Sequence, residues 1–343
     1  MAGFPWADTL AALTGGSDID GDTAQRAMHQ VMAGEASPAQ IAAFIVALRM
    51  KGETVEEMTG LVHGMRAASV QVELGSDRIV DIVGTGGDRS GTFNISTTAA
   101  FIVAGAGAKV AKHGNRSVSS QCGSGDVLEG LGVVIDLEPD LNRQLFFDTG
   151  FAFFLAPVYH PAMRHAGPVR RELGIPTVFN FLGPLTNPAG ANGYAIGVSD
   201  PAMAERMIRV LAATGVDRAF VYYGEDGLDE LTITGPSFIW RLLDGEVTHA
   251  EFTPEDFGMQ RASLGDVLGG DVAENVSIVR DVLSGAPGPK RDIAVMNAAA
   301  GLVVAELADG FAEATELAAS VIDEGRALAK LDEVVSRSRA LQQ

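Results

Sequence analysis

The sequence predicts an α/β protein in two parts: a small all-helical domain and a large α/β domain with a mostly parallel central sheet. Three observations carry this. Residues 1 to about 72 hold only helix signals. From Arg78 onward, short apolar β-type runs alternate with helical runs, the pattern of strands joined by crossover helices. The first of those strands breaks at once into a glycine-rich loop that leads to another helix, a passage suited to holding an anion.

The helical part comes first. Thr23 to Ala33 is one helix. Ser37 followed by Pro38 is an N-cap with proline at the first helical position, and opens a helix to about Lys51. Thr54 and Glu57 have capping-box spacing and open another to about Ala68. Nothing in this stretch has catalytic spacing, and packing or dimer contacts account for it.

The strands expected next are Ile79–Val83, Ala108–Ala111, Phe151–Leu155, Ala195–Val198 and Ala219–Tyr223. The helices between them are Thr97–Ala106, Val127–Leu131, Leu141–Thr149 and Ala202–Thr214. Short strands or hairpins span 232 to 251. Three C-terminal helices follow: Val272–Leu283, Ile293–Leu307, and one from Ala312 through Leu328 and beyond. In such sheets ligands sit beyond the carboxyl ends of the strands, and the loops after 83, 111 and 223 all lie there.

The loop after the first strand reads GTGGD at 84–88, then NIST at 94–97. Glycines let backbone N–H groups approach an anion, and a helix start supplies unpaired donors. A turn and an N-cap alone would look much the same. There is no GK[ST] and no GxGxxG, so neither usual nucleotide fingerprint is present. The second loop, KHGNRSVSS at 112–120, adds Lys112. With Lys109 and Arg116 it makes a local basic cluster in an acidic chain.

The 343 residues carry a formal net charge of −19. That argues against a nucleic-acid-binding surface, which normally shows a basic patch. No apolar run reaches the roughly 18 residues of a membrane span, and the N-terminus has no basic region ahead of an apolar one. A single cysteine, Cys122, cannot build an intramolecular disulfide and fits a reducing compartment, so a cytoplasmic location is expected.

Two further segments carry chemistry. His160 to Arg171 brings Arg164, Arg170 and Arg171, and leads into a stretch to Pro188 dense in Pro, Gly and Asn that suggests a hinge. The spacing of His160 and His165 matches no zinc motif. Glu225, Asp226, Asp229 and Glu230 crowd the turn after the fifth strand. They form either a solvated acidic turn or a seat for Mg²⁺ shared with phosphate oxygens. Two readings remain at this point: an enzyme acting on a phosphorylated sugar with Mg²⁺, or a phosphometabolite-binding protein. No nucleophilic triad is present, so chemistry here would be electrostatic and positional. The arginine segment, opposite in sign to the acidic loop, favours two anionic ligands and therefore the enzyme.

Taken together, the motifs resemble the anthranilate phosphoribosyltransferases, the tryptophan-pathway enzymes that join anthranilate to phosphoribosyl pyrophosphate. The resemblance covers nearly the whole chain. It rests on GTGGD and NIST, on KHGNRSVSS with GSGDVLEGLG at 123–132, on HPAMRHAGPVRRELGIPTVFNFLGPLTNP at 160–188, and on DGLDE at 226–230. The pyrimidine-nucleoside phosphorylases share the fold but carry serine where Gly114 stands. Gln121-Cys122 replaces the Lys-Ser often found there, one positive charge fewer beside the site.

The resemblance implies a nucleoside phosphorylase-like, hinged fold. Residues 1–72 with 163–188 would form the small helical domain, for dimerisation and the acceptor side. Residues 73–162 with 189–343 would form the large one, for phosphoribosyl pyrophosphate and Mg²⁺. It implies donor contacts at Gly84, Gly87, Asp88, Thr92, Asn94, Ile95, Ser96, Thr97, Lys112, His113, Gly114, Asn115, Arg116, Ser117, Val118, Ser119, Ser120 and Ser124. Anthranilate would meet Gly84, Asn115 and Arg170, and Mg²⁺ would be held by Ser96, Asp229 and Glu230. No residue is expected to act as general base. A homodimer is implied, association with anthranilate synthase subunits is compatible with it, and neither nucleic acid nor membrane is a partner.

Overall fold

The computed structural model describes residues 3–75, 77–117 and 121–343. Four helices come first: α1 Trp6–Thr14, α2 Gly21–Ala33, α3 Pro38–Lys51 and α4 Val55–Ala67. The capping box read at Thr54 and Glu57 forms, and the N-cap read at Ser37 is part of a second one. Ser37 and Gln40 bond reciprocally at the start of α3, as do Thr54 and Glu57 at the start of α4. Helix α1 was not expected: Pro5 precedes it with no side-chain cap, so it carries no start signal and forms by packing. Trp6 lies edge-on to Phe44 of α3.

The sheet follows. Strand β1 is Ile79–Gly84, α5 Ile95–Gly105, β2 Lys109–Gly114, α6 Ser124–Leu131, α7 Pro139–Thr149 and β3 Phe151–Leu155. Then come α8 Ala156–Tyr159, α9 Gly167–Leu173, α10 Phe179–Leu182, β4 Gly193–Gly197, α11 Pro201–Ala213 and β5 Arg218–Gly224. The hairpin β6 Ser237–Leu243 and β7 Glu246–Phe252 precedes α12 Val272–Leu283, α13 Pro289–Val304, α14 Phe311–Asp323 and α15 Arg326–Gln342. The strand order is β3-β2-β1-β4-β5-β6-β7. The first five strands are parallel and the last two antiparallel.

Alternation along each buried strand feeds two cores. Val80 and Ile82 of β1 and Phe151 and Phe153 of β3 join α5 and α13 on one face. Ile79 of β1 and Ala152 and Phe154 of β3 join the N-terminal helices and α11 on the other. Among the described residues no helix is long and apolar enough to cross a membrane.

Three expectations need correcting. The last C-terminal helix is two, α14 and α15, because Gly325 takes φ 72° and breaks the run. The stretch to Pro188, whose Pro, Gly and Asn content reads as a long loop, is partly helical: α10 and a 3₁₀ turn, Gly183–Leu185, occupy part of it. Helix α9 packs on α3 and α10 on α4, so this segment lies against the N-terminal helices. The basic cluster does not form. Lys109 pairs with Asp77, Arg116 pairs with Glu129 at 3.2 Å, and Lys112 is buried.

Candidate active site

The site is built where β1 ends. After Gly84 the chain turns through Gly86 and Gly87 at φ 70° and 90°, conformations open to glycine at little cost. Thr85 N–H donates to the Gly197 carbonyl at 2.9 Å, and Ser199 Oγ donates to the Gly86 carbonyl at 3.2 Å. These bonds tie the loop to the end of β4. Farther along, Ser90 Oγ donates to Asp88 Oδ2 at 2.7 Å, and Gly269 N–H donates to the Gly91 carbonyl at 2.9 Å. Asn94 is the residue ahead of α5, and its side chain makes no cap. It bonds instead to the Cys122 carbonyl at 3.3 Å, joining the first loop to the second. The amides of Ile95, Ser96 and Thr97 open the helix, and the buried Thr97 hydroxyl has no partner.

Asp229 and Glu230 arrive from the far side. They are not a solvated turn. Both are buried, and each carboxylate reaches back to the first loop or its helix. Asp229 Oδ2 accepts from Gly86 N–H at 2.6 Å, and Glu230 Oε1 accepts from Ser96 N–H at 3.2 Å. Glu230 Oε2 has no partner. Asp226 closes the turn, accepting from the Thr232 and Thr234 hydroxyls at 2.7 Å each. Burial, then the neighbouring Asp88, pushes the Asp229 carboxyl up to about 7. Burial and the Asp229 charge push Glu230 far above the usual carboxylate range. Two such carboxylates, one with a free oxygen, are the environment that a cation relieves.

Lys112, buried on β2, reaches the start of α5. Its ammonium donates to the Ile82 carbonyl and to Ser96 Oγ, the latter at 3.4 Å. Burial lowers its pKa, against the pull of Asp81 and Glu230. His113 follows on the other face, its Nδ1 bonded to the Phe154 carbonyl at 2.8 Å and its ring 5.1 Å from that of His160. Gly114 is crowded, since a β carbon there would lie 2.9 Å from the Phe153 ring. The second loop is braced by Asp126, whose Oδ2 accepts from the N–H groups of Ser117 and Gly123 at 2.8 Å each. Ser124 Oγ donates to the Asn115 carbonyl at 3.1 Å, and Asn115 Oδ1 accepts from Arg116 N–H at 2.8 Å. Val118, Ser119 and Ser120 lie outside the described residues.

Arg170 stands apart on α9. Its guanidinium lies over the Phe179 ring, 5.3 Å from the centroid, and no described carboxylate pairs with it. Burial lowers its pKa, so a carboxylate ligand would relieve it. Sequence reasoning missed one supporting residue. Asn297 of α13 is fully buried; it accepts from Leu231 N–H at 2.9 Å and donates to the Leu231 carbonyl at 3.0 Å. It pins the backbone next to Glu230. An asparagine inside an apolar helix was the available signal.

A helical bundle joined to a parallel sheet, with anion loops and buried carboxylates at one strand end, defines a glycosyl transferase of two parts. The α/β domain model of the glycosyl transferase family matches residues 76–328, and the helical bundle model of that family matches residues 7–69. The chain is 52% identical to the anthranilate phosphoribosyltransferase of Moorella thermoacetica, over 95% of this chain and 96% of that one. With that of Geobacter sulfurreducens it shares 50%, over 90% and 92%. Among solved structures, the enzyme of that name from Thermus thermophilus superposes with a TM-score of 0.92 at 40% identity, covering 97% of this chain and 99% of that one. The Saccharomyces cerevisiae enzyme in complex with PRPP and Mg gives 0.90 at 28%, with 98% of each chain covered. The chain belongs to the anthranilate phosphoribosyltransferase family.

Proposed function

We propose that this protein transfers the phosphoribosyl group of 5-phosphoribosyl 1-pyrophosphate to the amine of anthranilate, releasing pyrophosphate, in tryptophan biosynthesis. The observation that carries the reading is the meeting of Gly86, Ser96 and the buried Asp229–Glu230 pair at the end of β1. The glycine loop and the start of α5 would receive the diphosphate, with the Gly86 and Ser96 N–H groups, held here by Asp229 and Glu230, facing that place. Gly84, Gly87, Asp88, Thr92 and Asn94 line that approach. The second loop, residues 112–120 with Ser124, would take the ribose phosphate, and Lys112 lends its charge through Ser96.

Among the described residues no cluster of three or more His, Cys, Asp or Glu is placed to hold a metal ion by itself. Mg²⁺ suits one or two carboxylates completed by substrate oxygens. The unpartnered Glu230 Oε2 and the raised carboxyl pKa values fit such an ion, held by Ser96, Asp229 and Glu230. Bound there, it would neutralise the charge of the departing diphosphate.

As the bond from the anomeric carbon to the pyrophosphate oxygen breaks, positive charge develops on the ribose. The anthranilate nitrogen attacks from the opposite face, forms the N–C bond and then releases a proton. An aryl ammonium is acidic enough to lose it without a side-chain base, so the protein's part is alignment and charge stabilisation. Arg170 would hold the anthranilate carboxylate, and Asn115 and Gly84 would flank the ring. Residues 1–72 with 163–188 would close on the rest and exclude water from the activated sugar. A homodimer through the helical part fits this reading, with Met50, 83% exposed near the end of α3, as apolar surface on that side. A cytoplasmic location fits the single cysteine.

The test is loss of anthranilate fluorescence on mixing with phosphoribosyl pyrophosphate and Mg²⁺. No decay would refute the reading, and the assay would then be repeated with uridine or thymidine plus phosphate.

A further inference from the structure

Strands β1 and β2 part early. Their ladder holds only the pairs Ile79–Lys109 and Val80–Val110, whereas β2 stays in register with β3 to Gly114–Leu155. Beyond Val110, the backbone of β2 finds two side chains in place of β1. Asn187 Nδ2 donates to the Ala111 carbonyl at 2.8 Å, and Asp81 Oδ1 accepts from His113 N–H at 3.1 Å. The two side chains are bonded to each other, Asn187 Nδ2 to Asp81 Oδ2 at 2.8 Å. Asn187 Oδ1 accepts from Ala189 N–H at 2.9 Å, which anchors it in the turn that returns to β4. Both residues are buried, at 0% and 1% exposure. The peptide groups on either side of Lys112 are thus held by this pair.

We propose that Asp81 and Asn187 are positioning residues for Lys112, and so for phosphoribosyl donor affinity. Asp81 stands on β1, Lys112 on β2, and Asn187 at the end of the Pro- and Asn-rich segment that packs on the helical bundle. The bracket makes the position of the lysine depend on that segment. A buried ammonium held by a few contacts is sensitive to displacement of its backbone, because the low-polarity surroundings give it no solvent to fall back on. Asp81 also supplies a compensating negative charge near Lys112. The inference rests on the donor-side role of Lys112 proposed above.

The test uses the full-length protein as Asp81→Asn, Lys112→Met and the double variant, with Asn187→Ala as the alternative should Asp81→Asn fail to fold. Hydrogen exchange is read on peptides covering residues 110–114, and Michaelis constants are read for both substrates. Exchange at 110–114 should rise in Asp81→Asn and Asn187→Ala while the β4–β5 peptides stay protected. The constant for phosphoribosyl pyrophosphate should rise about tenfold or more, and that for anthranilate should stay within about twofold. The double variant should match Lys112→Met alone, since a residue that acts through another adds nothing once that other is gone. Unchanged exchange, equal shifts in both constants, or multiplying effects in the double variant would overturn the bracket. If Lys112→Met alone leaves the donor constant unaltered, the donor role of Lys112 fails, and this inference fails with it.

Discussion

The carbonyl oxygen of Asp229 lies where any side chain on Gly197 would begin: a β carbon built there falls inside the Asp229 peptide. Gly197 ends β4 and pairs with Gly84 of β1, so this contact sets how closely the carboxylate turn approaches the glycine loop. Gly84 is crowded by the same residue, with Asp229 Oδ2 2.5 Å from its would-be β carbon. Gly197→Ala is expected to lower stability by roughly 1–3 kcal/mol, as overpacking does, and to reduce turnover further by displacing the turn. Urea unfolding and steady-state kinetics check both. A stable, fully active variant would mean that the close approach has no role.

Asp229→Asn and Glu230→Gln keep the shape of the pair and remove its charge. Each should raise the Mg²⁺ concentration for half-maximal activity by about tenfold or more, in line with the roughly 1.5–3 kcal/mol of a charged contact. A metal titration superimposable on that of the unaltered protein would remove both residues from the ion.

Arg170→Ala should raise the Michaelis constant for anthranilate by roughly 10- to 100-fold, again from one charged contact, and leave that for phosphoribosyl pyrophosphate nearly unchanged. Equal effects on the two substrates would place Arg170 elsewhere in the cycle.

His113 and His160 give a pH prediction. Each donates a ring proton to a carbonyl, His113 Nδ1 to Phe154 and His160 Nε2 to Thr186, which sets the tautomer of the neutral ring. Burial pushes His113 down to about 3 and His160 to about 4 from the ordinary 6.5. Between those values and 6.5 the unfolded chain binds more protons. The contribution is therefore complete above pH 6.5 and is lost as pH falls toward 4. Asp81, raised by burial to about 6, works in the opposite direction, so the effect is read as a difference. The stability advantage of the unaltered protein over His160→Gln should shrink by roughly 1 kcal/mol between pH 7.5 and 5.5. A constant difference, measured by denaturant titration at both pH values, would show that His160 does not titrate in this way.

Much of the architecture was readable in advance because its signals are local. Phe151–Leu155 and Val272–Leu283 have the bounds expected from their apolar runs. The Ser37 N-cap of α3 and the Thr54–Glu57 capping box of α4 both formed, from residues close in the chain. What was not readable depends on burial and on distant partners. Nothing near Asp229 says that its carboxylate will reach Gly86, 143 positions away. The basic cluster of Lys109, Lys112 and Arg116 looked continuous in the chain, but alternation along β2 and the acids around it scatter those charges. Asp81, Asn187 and Asn297 read as ordinary polar residues until their partners are in view.

The pairing of β1 with β4 has a consequence for how the protein is made. Val80 pairs with Gly193, so a chain emerging from the ribosome presents β1 with one side unpaired for more than a hundred residues. An unpaired apolar strand is a template for association with other chains. The turn at Asp229 needs Asn297 to pin it, so the site is complete only when nearly the whole chain has been released. Folding here is therefore governed by long-range closure, and a truncated or slowly translated chain is the form most exposed to aggregation.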